Sequence, residues 1–379
     1  MITKTRYVAV HLLNDFSGSP RVLADFCASK EIQSQSLTVI TSASQGFLGA
    51  RLGELRTIWY PRGRFKVLNL VAFVLAQLQL FCLLLVISIR SRRAGERLVV
   101  INNTILCWGS LIAARMLGAL TISYIHEVST GPDIVRKISQ KIIHYTADEI
   151  LFVSQFLADQ YQFDNGSCTL LPNGLRSDFN LTSELDFTAK FRQRGVLFVG
   201  SLKPYKGIEE LLKIVRQLPD MKFTAIFNCS DQTLQRFTNN REIPANCDLR
   251  SACADIEQYY CEAFALLSLS LPDVCVESFS LTVLEGMSCG CPCIVPTVGG
   301  HHDYFDPQSG LAVDARDTSR IVEFIRTLAS DPILYQSHAC RALAAVEDYS
   351  AEAFASRVDD FLQSLKIRHA QKYQPGGVE

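Results

Sequence analysis

Short β-rich runs alternate with helical segments along this chain, and the alternation occurs twice. The first series places strands at 7–13, 37–41, 98–102, 121–126 and 150–153. After Asn173 and Gly174 a polar stretch interrupts it. The second places strands at 195–200, 222–227, 265–271 and 293–296, with helices beginning at Ile208, Leu281 and Arg320. Strands joined through helices run parallel, so the pattern predicts an α/β chain of two Rossmann-like, doubly wound domains. The expected boundaries are a first domain over 1–174, a linker over 175–194, a second domain over 195–350, and a C-terminal part over 351–379. In that last part 351–365 reads as an amphipathic helix and the polar tail from His369 onward as frayed. Ligands of such sheets bind beyond the carboxyl ends of the strands, so two sheets facing each other form a cleft with two ligand-bearing walls.

Charge excludes one class of function. Lys and Arg total 37 against 38 Asp and Glu, which removes the electrostatic case for a dedicated nucleic-acid binder. The 13 cysteines are scattered, odd in number and mostly set in apolar runs, as expected in a reducing compartment. Cys289, Cys291 and Cys293 cluster in SCGCPC, but alternate residues of a strand face opposite ways and no partner pair at zinc spacing follows. Buried thiols are the expectation there, and no metal site. The amino-terminal run reads as a first strand rather than a signal peptide.

The apolar stretch 67–89 has about the length that crosses a bilayer, broken by Asn69, Gln77, Gln79 and Ser88. A buried helix between two successive strands fits the same pattern, since a span would cut the alternation in two. Arg62, Arg64 and Lys66 precede the stretch and Arg90, Arg92 and Arg93 follow it, which suits a helix lying on anionic lipid as well as ordinary solvated helix ends.

Three segments carry candidate chemistry. The most informative is ESFSLTVLE, from Glu277 to Glu285, followed by GMSCGCPCIVPTVGG. It sets one carboxylate before a helix and another within it. The amides of Phe279, Ser280, Leu281 and Thr282 then lie at the helix start, where the dipole favours phosphate. Glu285 is placed to accept two hydrogen bonds from a vicinal diol such as ribose, and Glu277 to face a sugar. Ser278 or Ser280 capping the helix, with both acids solvated, is the alternative. In GVLFVGSLKPYKGIEELL a strand ends at Gly200, where backbone can approach a ligand, and Lys206 is placed to neutralise a diphosphate. In NDFSGSPRVLADFC, Gly18 and Ser19 sit in a loop before a helix beginning near Pro20 or Arg21.

Together these segments resemble the retaining glycosyltransferases of family 4, which have the two-domain GT-B fold. The resemblance rests on Glu277 and Glu285 with seven residues between them, Gly290 to Pro292 at a strand start, and the Gly299-Gly300 turn. VSQFLADQY ending at Tyr161, LPNG ending at Gly174, Lys206-Gly207 and the DYS segment before the last helix are also similar to the family. It implies that Glu277 contacts the donor sugar, Glu285 the ribose and Lys206 the diphosphate. It further implies that His126, in SYIHEVS, lies close to the transferred sugar, and that the last helix crosses back to the first domain. Family members commonly carry Arg after the glycine of the first strand in the second domain; here Ser201 stands there, with Lys203 as the compensating cation.

The implied reaction moves a sugar, with retention, from a nucleoside-diphosphate sugar to a saccharide or polyprenyl-linked saccharide acceptor in surface polysaccharide biosynthesis. It implies a cytoplasmic protein at the inner face of the cell membrane, peripherally attached. The donor is a substrate, and no cofactor or metal is expected: no Asp-x-Asp motif appears, and Asp148-Glu149 and Asp359-Asp360 fall in expected helices. The rival readings are a nucleotide-sugar-binding scaffold without turnover, motivated by Ser201, and a sugar-nucleotide epimerase or phosphorylase on the same plan.

Overall fold

The structure is a computed structural model that describes residues 4–63, 65–128, 133–161, 163, 167–179, 185–239, 241–252 and 255–370. Arg64 therefore lies outside the described residues, as do 371–379. The chain divides into two compact units, Met1–Arg176 with Ala351–Glu379, and Ser177–Ser350.

The first unit runs β1 (Thr5–Val10), α1 (Gly18–Cys27), α2 (Lys30–Gln33), β2 (Ser36–Ser42), β3 (Glu54–Ile58), α3 (Lys66–Arg93), β4 (Arg97–Asn102), α4 (Trp108–Met116), β5 (Leu120–Ile125), α5 (Asp133–Thr146), β6 (Glu149–Phe152), α6 (Gln155–Ala158) and β7 (Ser167–Leu170). Its sheet is parallel, in the order β3-β2-β1-β4-β5-β6-β7. The second runs α7 (Phe187–Gln193), β8 (Gly195–Gly200), α8 (Ile208–Gln217), β9 (Lys222–Phe227), α9 (Asp231–Thr238), β10 (Cys247–Ser251), α10 (Ile256–Glu262), β11 (Ala265–Leu267), α11 (Leu281–Ser288), β12 (Cys293–Val295), β13 (Gly310–Ala312), α12 (Thr318–Ser330) and α13 (Pro332–Ala345). Its parallel sheet has the order β10-β9-β8-β11-β12-β13. The last helix, α14 (Ala351–Ala370), belongs to the first unit.

Local chemistry accounts for the helices. In α8 the residues Ile208, Leu211 and Val215 recur at helical spacing and are buried in the second core. Asp331 caps α13, accepting from Ile333 N at 2.8 Å and Leu334 N at 3.1 Å, and Pro332 opens the first turn. The last helix is held by Lys366 on Glu31, by Asp359 Oδ1 accepting from Glu31 N at 2.9 Å, and by Arg368 on buried Glu149 at 3.0 Å. Glu149 opens β6 rather than standing in a helix, because it meets the pairing register of Ile122. His369 is buried within α14 and not frayed, since its ring packs beside Glu149 at 3.5 Å.

Two other expectations are revised. The stretch 175–194 carries α7, because Lys190 and the phenylalanines around it pack into the second unit. Cys289, Cys291 and Cys293 do not share a strand: Cys289 ends α11 and Gly290 turns the chain at φ 66° before β12 begins. All three thiols are buried.

The long helix α3 is not buried all round. Ala72, Ala76, Leu80 and Leu84 form its inner stripe, and α4 approaches so closely that a Cβ on Gly109 would lie 2.0 Å from Gln77 O. The polar residues that break its apolar run bind the domain itself. Gln77 donates to Leu106 O and accepts from Gly109 N, Gln79 accepts from Trp59 N, and Asn69 pairs with Gly63. On the outer side Phe65, Val67, Leu68, Leu70, Val74 and Leu78 are all at least half exposed.

Candidate functional site

Strand order in the second sheet reverses between β8 and β11, so the loops leaving these strands diverge, and ligands of such sheets bind beyond the carboxyl ends at that point. Lys206 and Glu277 meet there as an ion pair, and Ser270 Oγ donates to the same Glu277 oxygen at 2.9 Å. Lys206 closes a short 3-10 turn over Pro204–Lys206. Gly207 then takes φ 75°, and a Cβ there would sit 2.2 Å from Leu269 O, so the Lys-Gly step is pressed against the chain leaving β11. Burial alone pushes the Glu277 carboxyl up, but the charge and hydrogen bond of Lys206 outweigh it and hold the carboxyl below its ordinary value. Burial likewise disfavours the Lys206 ammonium, and Glu277 more than reverses this. The pair is thus charged at neutral pH, with each side chain about a fifth exposed (23% and 21%).

The backbone behind Glu277 is fixed by Gly300 N donating to its carbonyl at 2.8 Å. Beside it, His301 is fully buried with Nε2 2.9 Å from Pro296 O, and burial lowers its pKa to about 4. Ser280 occupies the cap position of α11 but makes no side-chain bond to a helix amide, and no acidic residue stands in the first turn. The capping alternative is therefore not what Ser280 does. Its hydroxyl lies 3.2 Å from Thr282 Oγ1, and its carbonyl accepts from Tyr304 OH at 2.6 Å, with the Phe279 ring tilted at 43° against that of Tyr304. Leu281 and Thr282 form the first turn. Glu285 is 6% exposed, not a partly solvated carboxylate, because Gly286 beside it lets α11 press onto β11: a Cβ at 286 would lie 2.5 Å from Leu266. Ser201 and exposed Lys203 follow β8, with Lys203 N donating to Ser201 O at 2.8 Å. Gly200 meets only ordinary contacts at 3.6 Å and beyond, so no protein neighbour demands a glycine there.

The first sheet repeats the logic, reversing between β1 and β4. His11, Asn103 and His126 follow β1, β4 and β5. All three are buried, and His11 Nδ1 lies 3.0 Å from Asn103 O. Burial, with His11 as a second cause, lowers the His126 pKa to about 3, and burial lowers that of His11 to about 4, so both rings are neutral. Gly18 is the first residue of α1 rather than part of a preceding loop, because Ser17 already takes the extended cap conformation. Ser19 is bound there by Asn103 Nδ2, which donates to its carbonyl at 2.9 Å. Glu127 accepts from Thr104 Oγ1 and from Ile105 N at 3.1 Å, which ties the loop after β5 to that after β4. Sequence reasoning missed His11, Asn103 and Ser270. His126 entered through the family resemblance; the local signal available for the first two was a polar residue directly after a central apolar strand.

The sequence model of the family described as Glycosyl transferases group 1 matches residues 186–344. A GDP-mannose-dependent monoacylated alpha-(1-6)-phosphatidylinositol monomannoside mannosyltransferase of Corynebacterium glutamicum is 33% identical over 90 residues, 24% of this chain and 24% of that protein. A D-inositol 3-phosphate glycosyltransferase of Mycobacteroides abscessus is 22% identical over 273 residues, 68% of this chain and 60% of that protein. The chain thus spans less than two thirds of the length of either relative. Among solved structures, Anabaena HepE in complex with UDP superposes with a TM-score of 0.75 at 16% identity, covering 96% of this chain and 100% of that one. Sucrose-phosphate synthase from Thermosynechococcus elongatus gives 0.74 at 16% identity, again over 96% and 100%. Residues 186–344 are therefore a glycosyl transferases group 1 domain, in a chain that has the GT-B fold over nearly its whole length.

Proposed function

We propose that this chain is a retaining glycosyltransferase that moves a sugar from a nucleoside-diphosphate donor to a saccharide or polyprenyl-linked saccharide acceptor in surface polysaccharide biosynthesis. The observation that carries the reading is the Lys206–Glu277 pair at the reversal point of the second sheet, beside the start of α11, where the cap residue Ser280 makes no side-chain bond to a helix amide. As the anomeric bond breaks, negative charge grows on the leaving diphosphate. A fixed ammonium and the amides at the start of α11 stabilise that charge more in the transition state than in the bound donor, which is what accelerates a reaction. An ammonium has three N–H donors, so holding Glu277 leaves capacity for phosphate oxygens. Glu277 keeps Lys206 charged and faces the sugar, Glu285 takes the ribose hydroxyls, and neutral His126 serves as a hydrogen-bonding group rather than an acid.

The acceptor reading draws on α3, whose exposed apolar side and flanking cations suit a peripheral seat on the cytoplasmic face of an anionic membrane. The Corynebacterium relative, named for a phosphatidylinositol-borne substrate, is in keeping with a lipid-linked acceptor. Thermal shift across UDP- and GDP-sugars, followed by a transfer assay, tests the function. One donor should stabilise the protein, by about 2.7 kcal/mol at a hundred times its Kd. Stabilisation without transfer to any acceptor would favour the non-catalytic scaffold, and no stabilisation by any donor would refute the reading.

Two outcomes bear on the site. Glu285→Gln, which keeps the buried shape, should raise donor Kd about tenfold through the loss of charged hydrogen bonds; unchanged affinity in titration calorimetry would remove Glu285 from the site. Transfer should also persist in excess EDTA, because a lysine and helix amides stand where other enzymes place a divalent ion. Loss of activity restored by magnesium would overturn that assignment.

A further inference from the structure

At the carboxyl end of α11 lies a cluster of thiols around one buried lysine. Lys190, on α7, is 2% exposed, donates to Cys289 O at 2.5 Å and lies 3.7 Å from Cys291 Sγ. Cys261, on α10, is half-buried and holds its Sγ 3.5 Å from that of Cys289 at the end of α11. We propose that Cys261 and Cys289 form an oxidation site, in which a peroxide converts the pair to a disulfide that staples the end of α11 to α10.

The four thiols of the cluster are not equivalent. Cys291 and Cys293 are fully enclosed and raised by burial, and Cys289 is raised by its hydrogen bond with Cys261 and by burial, so none of these three starts the reaction at neutral pH; Cys289 attacks only once Cys261 is oxidised, losing its proton to the departing hydroxide. Cys261 departs in the other direction: the hydrogen bond from Cys289 and the charge of Lys190 overcome its burial and lower it to about 7. It also has a route to solvent, which Cys289 lacks. Cys261 is therefore the attacking thiolate and Cys289 the resolving thiol. In the first step the Cys261 thiolate takes the distal oxygen of hydrogen peroxide, the O–O bond breaks, and with one proton the products are a sulfenic acid and water. In the second, Cys289 sulfur attacks the sulfenic sulfur, the S–O bond breaks, and the hydroxide leaves with the Cys289 proton as water. The sum is two thiols and one peroxide to one disulfide and two waters. Forming the bond closes the contact from 3.5 Å to about 2.05 Å.

The experiment uses the intact chain. After mild peroxide treatment, free thiols are alkylated and the digested protein is mapped by mass spectrometry. The expected result is a dithiothreitol-sensitive link between the peptides carrying Cys261 and Cys289, with exposed Cys82, Cys168 and Cys340 still alkylated. In Cys289→Ser the expected product is instead a sulfenic acid at Cys261 that dimedone traps. In Cys261→Ser no link to Cys289 should form. Full alkylation of Cys261 after treatment, or its linkage to a thiol other than Cys289, would overturn the proposal, and the wild-type map decides this even where a variant does not fold.

Discussion

Replacing Lys206 by Ala is expected to lower kcat/KM for sugar transfer by about 10²–10³, the loss seen when one preorganised donor to a developing oxyanion is removed. The loss has two parts. The cation that meets the leaving diphosphate is gone, and Glu277 becomes an uncompensated carboxylate at the same site, where it repels the donor. Lys206→Ala combined with Glu277→Gln tests the second part: with the repelling charge gone, the double variant should bind donor more tightly than Lys206→Ala alone, while kcat stays low because both groups facing the reacting centre are altered. Recovery of kcat as well would show that Lys206 only balances Glu277. The fold should survive, since the pair lies at a loop surface rather than in the core. The pH dependence follows from the two shifts. Glu277 is held below its ordinary value, so the stability it contributes is present above that value and lost as pH falls through the folded pKa. Lys206 is held above its ordinary value, so its contribution is present below that value and lost as pH rises through the folded pKa. Across neutral pH the pair contributes in full, and the activity profile should carry no limb from either group there.

The sheet centres were readable from sequence and the edges were not, for one reason. Four observed strands were absent from the pattern, β3, β7, β10 and β13, and these are the two ends of each sheet. A central parallel strand such as β5 is covered on both faces and reads as an unbroken apolar run. An edge strand such as β7, SCTL, is half solvated and shows no such run, so its pairing with β6 is settled by the neighbour and not by its own residues. The site divides in the same way. Lys206, Glu277 and Glu285 announce themselves by charge beside glycine turns and a helix start. Ser270 does not, because its role comes from lying at the end of the neighbouring strand, seven residues before the carboxylate it meets. Glu285 was placed correctly in its helix, yet its burial depends on how closely Gly286 lets that helix approach β11, which no local pattern encodes.

Changing Val67, Leu70, Val74 and Leu78 together to Ser is expected to move the protein from the floating to the soluble fraction in a liposome assay with anionic lipid. All four are at least half exposed, so the fold loses little by the change, and circular dichroism should be unaltered. Covering the remaining exposed area of each by lipid contributes about 1 kcal/mol, so losing four weakens partitioning about 10³-fold. The surface is wider than one helix. Because α3, α4 and α5 connect strands progressing in one direction along the sheet, they cover the same face, and α4 packs between the other two. Ile112 and Met116 of α4, and Ile134, Ile138 and Tyr145 of α5, are likewise exposed, and Lys137 and Lys141 add charge to that of Arg62, Lys66, Arg90 and Arg93. Each cation near an anionic surface contributes about 1 kcal/mol and is screened by salt, whereas the apolar part is not. Raising salt should therefore weaken flotation of the wild type without abolishing it, and should release the serine variant completely. Transfer to a lipid-linked acceptor should fall with flotation while donor hydrolysis is unchanged. Equal flotation of both proteins would reject the surface, and retention of the wild type through alkaline carbonate would show that α3 enters the bilayer as a span.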